Sequence, residues 1–468
     1  MKTTIASLTL FLTITGIACG PVCGVSKQQD LQTLAQQAVS EDSSQASSAI
    51  HTLRSIGPEG LNALLQAHGE LLSKPADPAL PRAPAKVDAG LTRLKAALDS
   101  VGQQKDCHAS RLYWHTDFEQ AKAAARASGK PILSLRLLGN LTDEYSCANS
   151  RFFRTALYAN AGVSQYLRDH FVLHWKSVRP VPRITIDFGD GRKLERTITG
   201  NSIHYILAAD GSPVDALPGL YGPKAFLKGL GQAEVVAREY GQRSGVDGKK
   251  FLQAYHQDRL REIAASWESD LTRLGIGASG VIPVSTAAVL QKGTTPPTAA
   301  EAGRVAVGKS MIEMPMVRSL APTSKPEQAF IPALGVIEDV TWVRVAQLHA
   351  EDARLDEGSK SLMRAKNPTA FDASRLARAK VDVEDPLLRA VRSFERSIAE
   401  DTVRNEYLLH SRIHEWFAQD AMTTDVDWLN ERVYTELFLA PSSDPWLGLA
   451  PKDVYTALPE DGLVLRQD

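Results

Sequence analysis

The sequence predicts an α/β domain held between helical flanks. Three observations carry that prediction. Strand-type apolar runs alternate with helix-type stretches through residues 111–231, the pattern of a layered α/β unit. Residues 28–104 and 331–468 place their apolar residues at helical spacing instead. Between them, residues 277–330 are rich in Gly, Ala, Thr and Pro with few large apolar residues, as a flexible linker is.

The first element in the chain is an export signal. Lys2 is the sole charge before Lys27, and Ile5–Ala18 is apolar but too short to span a bilayer. Residues 1–19 form that signal, and Gly16-Ile17-Ala18-Cys19 resembles a bacterial lipobox with Gly16 where Leu is commoner. Lipidation of Cys19 would tether the chain to a membrane, so the expected location is the periplasm or the outer membrane. Export places the thiols of Cys19, Cys23, Cys107 and Cys147 in an oxidising space.

The helical prefix, 28–104, carries Leu31, Leu34, Ala35 and Ala38, then Ile50, Leu53, Ile56 and Leu61, Leu64, Leu65 around Gly57-Pro58-Glu59-Gly60. This resembles one helix pair of a HEAT-type repeat, fewer than a solenoid needs. Pro75–Pro84 is a break.

The α/β domain is expected over 106–233. Leu112 and Trp114, then Ile132, Leu133, Leu135 and Leu137, read as buried strands. Phe118–Ser128 is an Ala-rich helix stopped by Gly129-Lys130-Pro131. Phe152–Asp169 reads as a second helical stretch and Phe171–Trp175 as a strand. Ile184–Phe188 and Arg196–Ile198 flank Gly189-Asp190-Gly191 as a hairpin whose Arg192, Lys193 and Arg196 face solvent. His204–Leu207 is a strand turned by Asp210-Gly211, and Phe226-Leu227 lies on a closing helix. Residues 234–276 extend that domain as amphipathic helix. In the mostly helical tail, 331–468, the strongest helix is Leu388–Ala418, with Trp428, Phe438, Trp446 and Leu447 as core candidates.

Composition excludes some classes of function. The 468 residues carry 53 Lys and Arg against 54 Asp and Glu, a net charge of −1, so no general attraction to nucleic acid is expected. Apolar and charged contents of 43% and 23% are those of a globular chain. There is no zinc-type Cys/His spacing, phosphate-binding glycine loop or nucleophile elbow, and no metal or cofactor is expected.

Lys130-Pro131-Ile132-Leu133, then Cys147-Ala148-Asn149-Ser150, then Gly200–Gly211 stand in the order of a thioredoxin fold. Together with Trp114, Phe118-Glu119, Ala121-Lys122, Gly219 and Phe226-Leu227, they cover about a quarter of the chain. The sequence resembles the thioredoxin-like superfamily, in an exported form with Cys-x-x-Ser in place of Cys-x-x-Cys. The resemblance implies that Cys147 starts a helix, where the dipole favours thiolate. Arg151 and Arg154 would add positive potential, and the insertion carrying Asn140, Asp143 and Glu144 would oppose it. Ser150 replaces the resolving cysteine, Ser202 replaces the cis-proline, and Leu135 replaces the proton-moving Asp. A cis bond before Ser202 would cost roughly 3–4 kcal/mol.

With the second cysteine gone, a dithiol reductase is not expected. Two readings stay open. Cys147 acts as a redox-active monothiol toward a protein or small-molecule thiol, with Ser150 as its hydrogen-bond partner and Asn149, Ser202 and Ile203 lining the substrate groove. Alternatively the fold is a non-catalytic binding or structural scaffold of the cell envelope, with Cys147 inert or bridged to Cys107.

Other candidates read as ordinary contacts. His170, His174 and His204 are core or surface histidines that could approach Cys147, as in the copper-chaperone branch of the superfamily. Met311-Ile312-Glu313-Met314-Pro315-Met316 has thioether spacing that suits Cu(I), but reads first as an apolar anchor. His410 and His414 share one helix face at i, i+4, a spacing that can hold a metal. The run is His-Ser-Arg-Ile-His-Glu, without the metalloprotease base, so polar contacts on a helix surface are expected. His349, with Glu351, Asp352 and Asp356, reads the same way. Arg179-Pro180-Val181-Pro182-Arg183 reads as an extended connector.

Overall fold

The computed structural model describes residues 22–73, 88–197, 200–243, 245–276, 339–366, 386–419 and 425–444. They fall in two compact units, Met1–Val101 and Gly102–Asp468. The expected lipobox at Cys19, the expected linker over 277–330 with its methionines, Trp446 and Leu447 lie outside the described residues, as does the Cys23 side chain.

The first unit is helical. Its helices are α1 (Val22–Gln37), α2 (Ser43–Ile56), α3 (Pro58–Ala67), α4 (Gly69–Ser73) and α5 (Ala89–Gly102). Asp42 caps α2 by accepting from the Ser44 and Gln45 N–H groups. Gly57 closes α2 at φ 91°, a conformation that favours glycine, and Pro58 opens α3. The apolar residues at helical spacing meet inside, where Ala35, Leu53, Leu64, Leu94 and Leu98 are fully buried.

The second unit is α/β with a helical C-terminal region. It opens with α6 (Cys107–Ser110), β1 (Trp114–His115), α7 (Phe118–Ser128) and β2 (Ile132–Leu138). Asp117 caps α7, and Gly129 ends it at φ 67°. Every residue of β2 is buried, as expected of a strand with neighbours on both sides. The next elements are α8 (Ala148–Phe152), a π-helical turn (Phe153–Leu157), α9 (Ala161–His170), β3 (Val172–Arg179), β4 (Arg183–Asp187) and β5 (Lys193–Thr197). After them come β6 (Ser202–Leu207), β7 (Pro213–Pro218), α10 (Pro223–Tyr240) and α11 (Gly245–Arg273). The five-stranded sheet runs β1-β3-β2-β6-β7. β3 is parallel to β1 and β2, whereas β6 is antiparallel to β2 and β7. The strands β4 and β5 form the separate hairpin expected around Gly189-Asp190-Gly191.

Two elements differ from the sequence reading. The helical stretch Phe152–Asp169 is interrupted: Asn160 leaves helical conformation and caps α9 through the Val163 N–H. The strand β7 had no strand signal, because Pro213 and Pro218 bracket it and Asp215 sits inside. Proline is tolerated because β7 is an edge strand.

The C-terminal helices are α12 (Asp339–Leu348), a 3₁₀ turn (Ala350–Ala353), α13 (Glu357–Lys366), α14 (Pro386–Arg404), a second π-helical turn (Asn405–His410), α15 (Ser411–Gln419) and α16 (Val426–Glu436). They share one apolar core with the sheet, where the sequence suggested a separate tail domain. Helical periodicity shows which face is apolar but not what it covers. Here it covers the β7 edge and the turn after it. Asn405 donates from Nδ2 to the Leu220 carbonyl (2.8 Å), and the Gly222 N–H donates to Thr402 Oγ1 (2.8 Å). A Cβ at Gly222 would stand 2.3 Å from the Asp352 carbonyl oxygen, so glycine is required for this approach.

Candidate functional site

Cys147 is the N-cap of α8, directly beyond the loop that follows β2, and its backbone N–H donates to the Leu138 carbonyl. The side chain is fully buried. Its thiol faces Ser150 Oγ at 3.5 Å and the Asn201 carbonyl at 3.8 Å. The Ser150 hydroxyl donates its one proton to the Cys147 carbonyl (2.8 Å). It therefore meets the sulfur as an acceptor of the S–H. Burial pushes the thiol above its ordinary range. Ser150 and Arg151 pull the other way without offsetting it.

The positive potential expected from two arginines is largely committed elsewhere. Arg154 is buried against Asp106 Oδ2 (3.3 Å), the Glu144 carbonyl and Ser146 Oγ. Arg151 donates to Thr197 Oγ1. The Cys107–Cys147 bridge is not formed: both cysteines are free and buried, and the Cys107 thiol points to the Leu112 carbonyl.

The expected groove is filled by the chain itself. Ser202 and Ile203 are fully buried on β6, and no peptide bond among the described residues is cis. Asn149 is half-buried, with its side chain close against Gly200. Tyr434 of α16, itself fully buried, donates from its hydroxyl to the Asn201 carbonyl (3.1 Å), the same oxygen that faces Cys147. Beside it, the Tyr205 hydroxyl donates to Asn430 Oδ1.

None of the three candidate histidines has its hydrogen bond at Cys147. His170 Nδ1 lies 3.0 Å from Glu234 Oε1 and stacks on Tyr166. His174 Nδ1 lies 2.8 Å from Ser134 Oγ, and burial with Arg136 beside it pushes that imidazole down to about 3. His204 Nε2 lies 2.6 Å from the Tyr158 hydroxyl, and burial pushes it to about 3 as well. The Arg179 guanidinium does more than the sequence indicated, binding the carbonyls of Ala440, Pro441 and Asp444. Arg192 and Lys193 pair with Asp190 and Asp187 on the exposed hairpin, as expected.

His410 and His414 do not lie on a helix surface: both are buried at the β7 edge. There they meet Asp215 of β7 and His256 of α11, two residues the sequence reading missed. The signal available was a lone carboxylate inside the apolar run Pro213–Pro218. His410 Nε2 is 3.0 Å from Asp215 Oδ1, and its Nδ1 is 2.9 Å from Glu406 Oε2. Burial opposes protonation of His410, but the Glu406 and Asp215 carboxylates hold it up at about 9. Asp215 Oδ2 accepts from the Tyr255 hydroxyl (2.5 Å). Its carboxyl lies well below the ordinary range: burial raises it, and the surrounding histidines outweigh that. His256 Nδ1 and His414 Nδ1 are 2.7 Å apart. Burial lowers both, His256 to about 4 and His414 well below its ordinary value. Glu406 also pairs with Arg259, which in turn pairs with Glu262.

His349 makes a separate polar contact. Its Nε2 is 2.7 Å from Asp270 Oδ2, which also accepts from the Tyr407 hydroxyl. The bond to Asp270 raises His349 against the effect of burial, and Asp270 is lowered because its partners His349 and Tyr407 outweigh burial. A raised histidine stabilises the fold below its unfolded value of 6.5 and loses that stabilisation as pH rises through its folded value. A lowered carboxylate stabilises above 3.8 and loses that as pH falls. The gap in stability between wild type and His349→Ala is thus expected to be widest between pH 3.8 and 6.5, at about 1–2 kcal/mol. It should shrink above that window. Urea titrations across pH measure it, and a gap that widens toward alkaline pH would refute the assignment.

No protein-family model matches the chain, and no solved structure matches it. Among curated proteins, guanylate cyclase 2G of Rattus norvegicus is 26% identical over 112 residues. That stretch is 24% of this chain and spans 9% of the cyclase.

Proposed function

We propose that the chain is a non-catalytic, thioredoxin-like scaffold protein of the cell envelope, acting through binding or structure rather than thiol chemistry. The observation that carries this reading is the occupation of the groove at Cys147 by the chain's own Tyr434. A nucleophilic cysteine needs solvent access and a lowered pKa. Cys147 has neither, being fully buried with its thiol raised. The thioredoxin-like part is supported by the strand order β1-β3-β2-β6-β7, with a cysteine capping the helix after β2 and a buried loop leading into β6. Export rests on Lys2 and the apolar run Ile5–Ala18, and a membrane tether rests on Cys19.

The test is alkylation of the native, reduced protein by iodoacetamide, with Cys147 located by mass spectrometry and Cys147→Ser as control. Cys147 is expected to react at least about 100-fold more slowly than in denaturant, as for a site that must open locally to react. Fast labelling with a midpoint below the free-thiol value of about 8.5 would overturn the reading in favour of a redox-active monothiol.

A further inference from the structure

We propose that Asp215, His410 and His414 form a buried binding site for one divalent transition-metal ion of the zinc class, independent of Cys147. One ligand atom from each of the three residues lies within 4.8 Å of the other two, and all three residues are buried. They come from three elements that meet at the sheet edge: Asp215 from β7, His410 from the end of the second π-helical turn, and His414 from α15. Imidazole, its proton displaced from the ligating nitrogen by the ion, together with carboxylate suits zinc and its neighbours rather than calcium or magnesium. Ligands on a four-coordinate zinc with bonds of about 2.0–2.1 Å stand roughly 3.3 Å apart. The 3.0 Å between His410 Nε2 and Asp215 Oδ1 already has that scale.

The outer shell is what separates this site from a chance polar contact. Ligating histidines usually present their other nitrogen to a carboxylate, which fixes tautomer and ring orientation. His410 does this: Nε2 faces Asp215 while Nδ1 faces Glu406 Oε2 at 2.9 Å. Glu406 is held in turn by Arg259. Asp215 likewise has Oδ1 toward His410 and Oδ2 fixed by Tyr255.

A second, independent observation points to a ligand. His414 Nδ1 is engaged with His256 Nδ1, which leaves Nε2, and that atom is buried with no hydrogen-bond partner. A buried ring nitrogen without a partner costs about 1–3 kcal/mol and calls for an ion or a water. The π-helical turn Asn405–His410 adds to this. Such turns are uncommon and frequent at functional sites, and this one ends on the ligand His410. With three protein donors, the fourth position is left to a water.

Because the ligands are buried, the ion would enter as the chain folds. The experiment therefore refolds the full chain, stripped by a chelator, with zinc or cobalt(II) and then dialyses it. The expected result is close to one equivalent of retained metal by elemental analysis, a visible cobalt(II) spectrum of four-coordinate intensity, and a raised melting temperature. His414→Gln should lose the cobalt spectrum and most of the retained metal while keeping the far-ultraviolet circular dichroism of the wild type. If that variant does not fold, the wild-type cobalt spectrum decides alone. No retained metal, an octahedral aqua-type spectrum, or an unchanged spectrum in a folded His414→Gln would each overturn the site.

Discussion

Replacing Tyr434 with alanine is expected to cost about 3–5 kcal/mol and to expose the Cys147 thiol. The tyrosine is fully buried and sits edge-on against Phe438. Removing the ring leaves a cavity between α16 and the start of β6, and strips the Asn201 carbonyl of its hydroxyl donor. That carbonyl also faces the Cys147 sulfur, so the new space opens beside the thiol. Two measurements check this: urea denaturation for the stability loss, and iodoacetamide labelling of Cys147 under native conditions. Tyr434→Phe is the informative companion, since it keeps the ring and removes the hydrogen bond. It should cost only about 0.5–1.5 kcal/mol and leave Cys147 protected. Equal labelling of wild type and Tyr434→Ala would show that something other than α16 shields the thiol.

Asp106→Asn is expected to destabilise the second unit by about 3 kcal/mol or more. Arg154 is 1% exposed, and Asp106 puts a carboxylate oxygen 3.3 Å from its guanidinium. Removing one member of a buried pair leaves a charge that water cannot reach, so the loss exceeds that of a surface pair. Asparagine keeps the shape and tolerates the left-handed backbone of residue 106, φ 62°, so charge is what the substitution removes. Lys366 also reaches Asp106 Oδ2 at 2.9 Å but is partly exposed, and Lys366→Gln should cost no more than about 1 kcal/mol. Arg154 braces the Glu144 carbonyl and Ser146 Oγ, in the loop just before Cys147. The Asp106→Asn variant should therefore also loosen that loop and raise Cys147 labelling. A loss below 1 kcal/mol in urea titrations would mean that another group neutralises Arg154.

Much of the α/β unit was legible because its signals are local. The apolar run Ile132–Leu138, the stop at Gly129-Lys130-Pro131 and the Gly189-Asp190-Gly191 turn each lie within a few residues, and each produced the expected element. The strand β7 was not legible, because two prolines hid it and its edge position, which tolerates them, depends on the rest of the sheet. The candidate site was half legible. Cys147 at a helix start could be read from its neighbours, and so could the i, i+4 pair His410 and His414. Their burial could not, because it depends on chain far away in sequence.

By itself the sequence determined most of the strands and helices, where many of them stop, the absence of a resolving cysteine at Ser150, and the spacing of its histidines. The tertiary structure alone decided what those groups face. Tyr434 reaches Asn201 across 233 positions, Arg136 reaches Asp427 across 291, and His256 meets His414 across 158. Periodicity reports which face of an element is apolar, since that follows from backbone geometry within a turn or two. Which face covers which is set by packing between distant segments. That packing made Cys147 a sealed thiol and turned two apparently ordinary histidines into part of a buried ligand cluster.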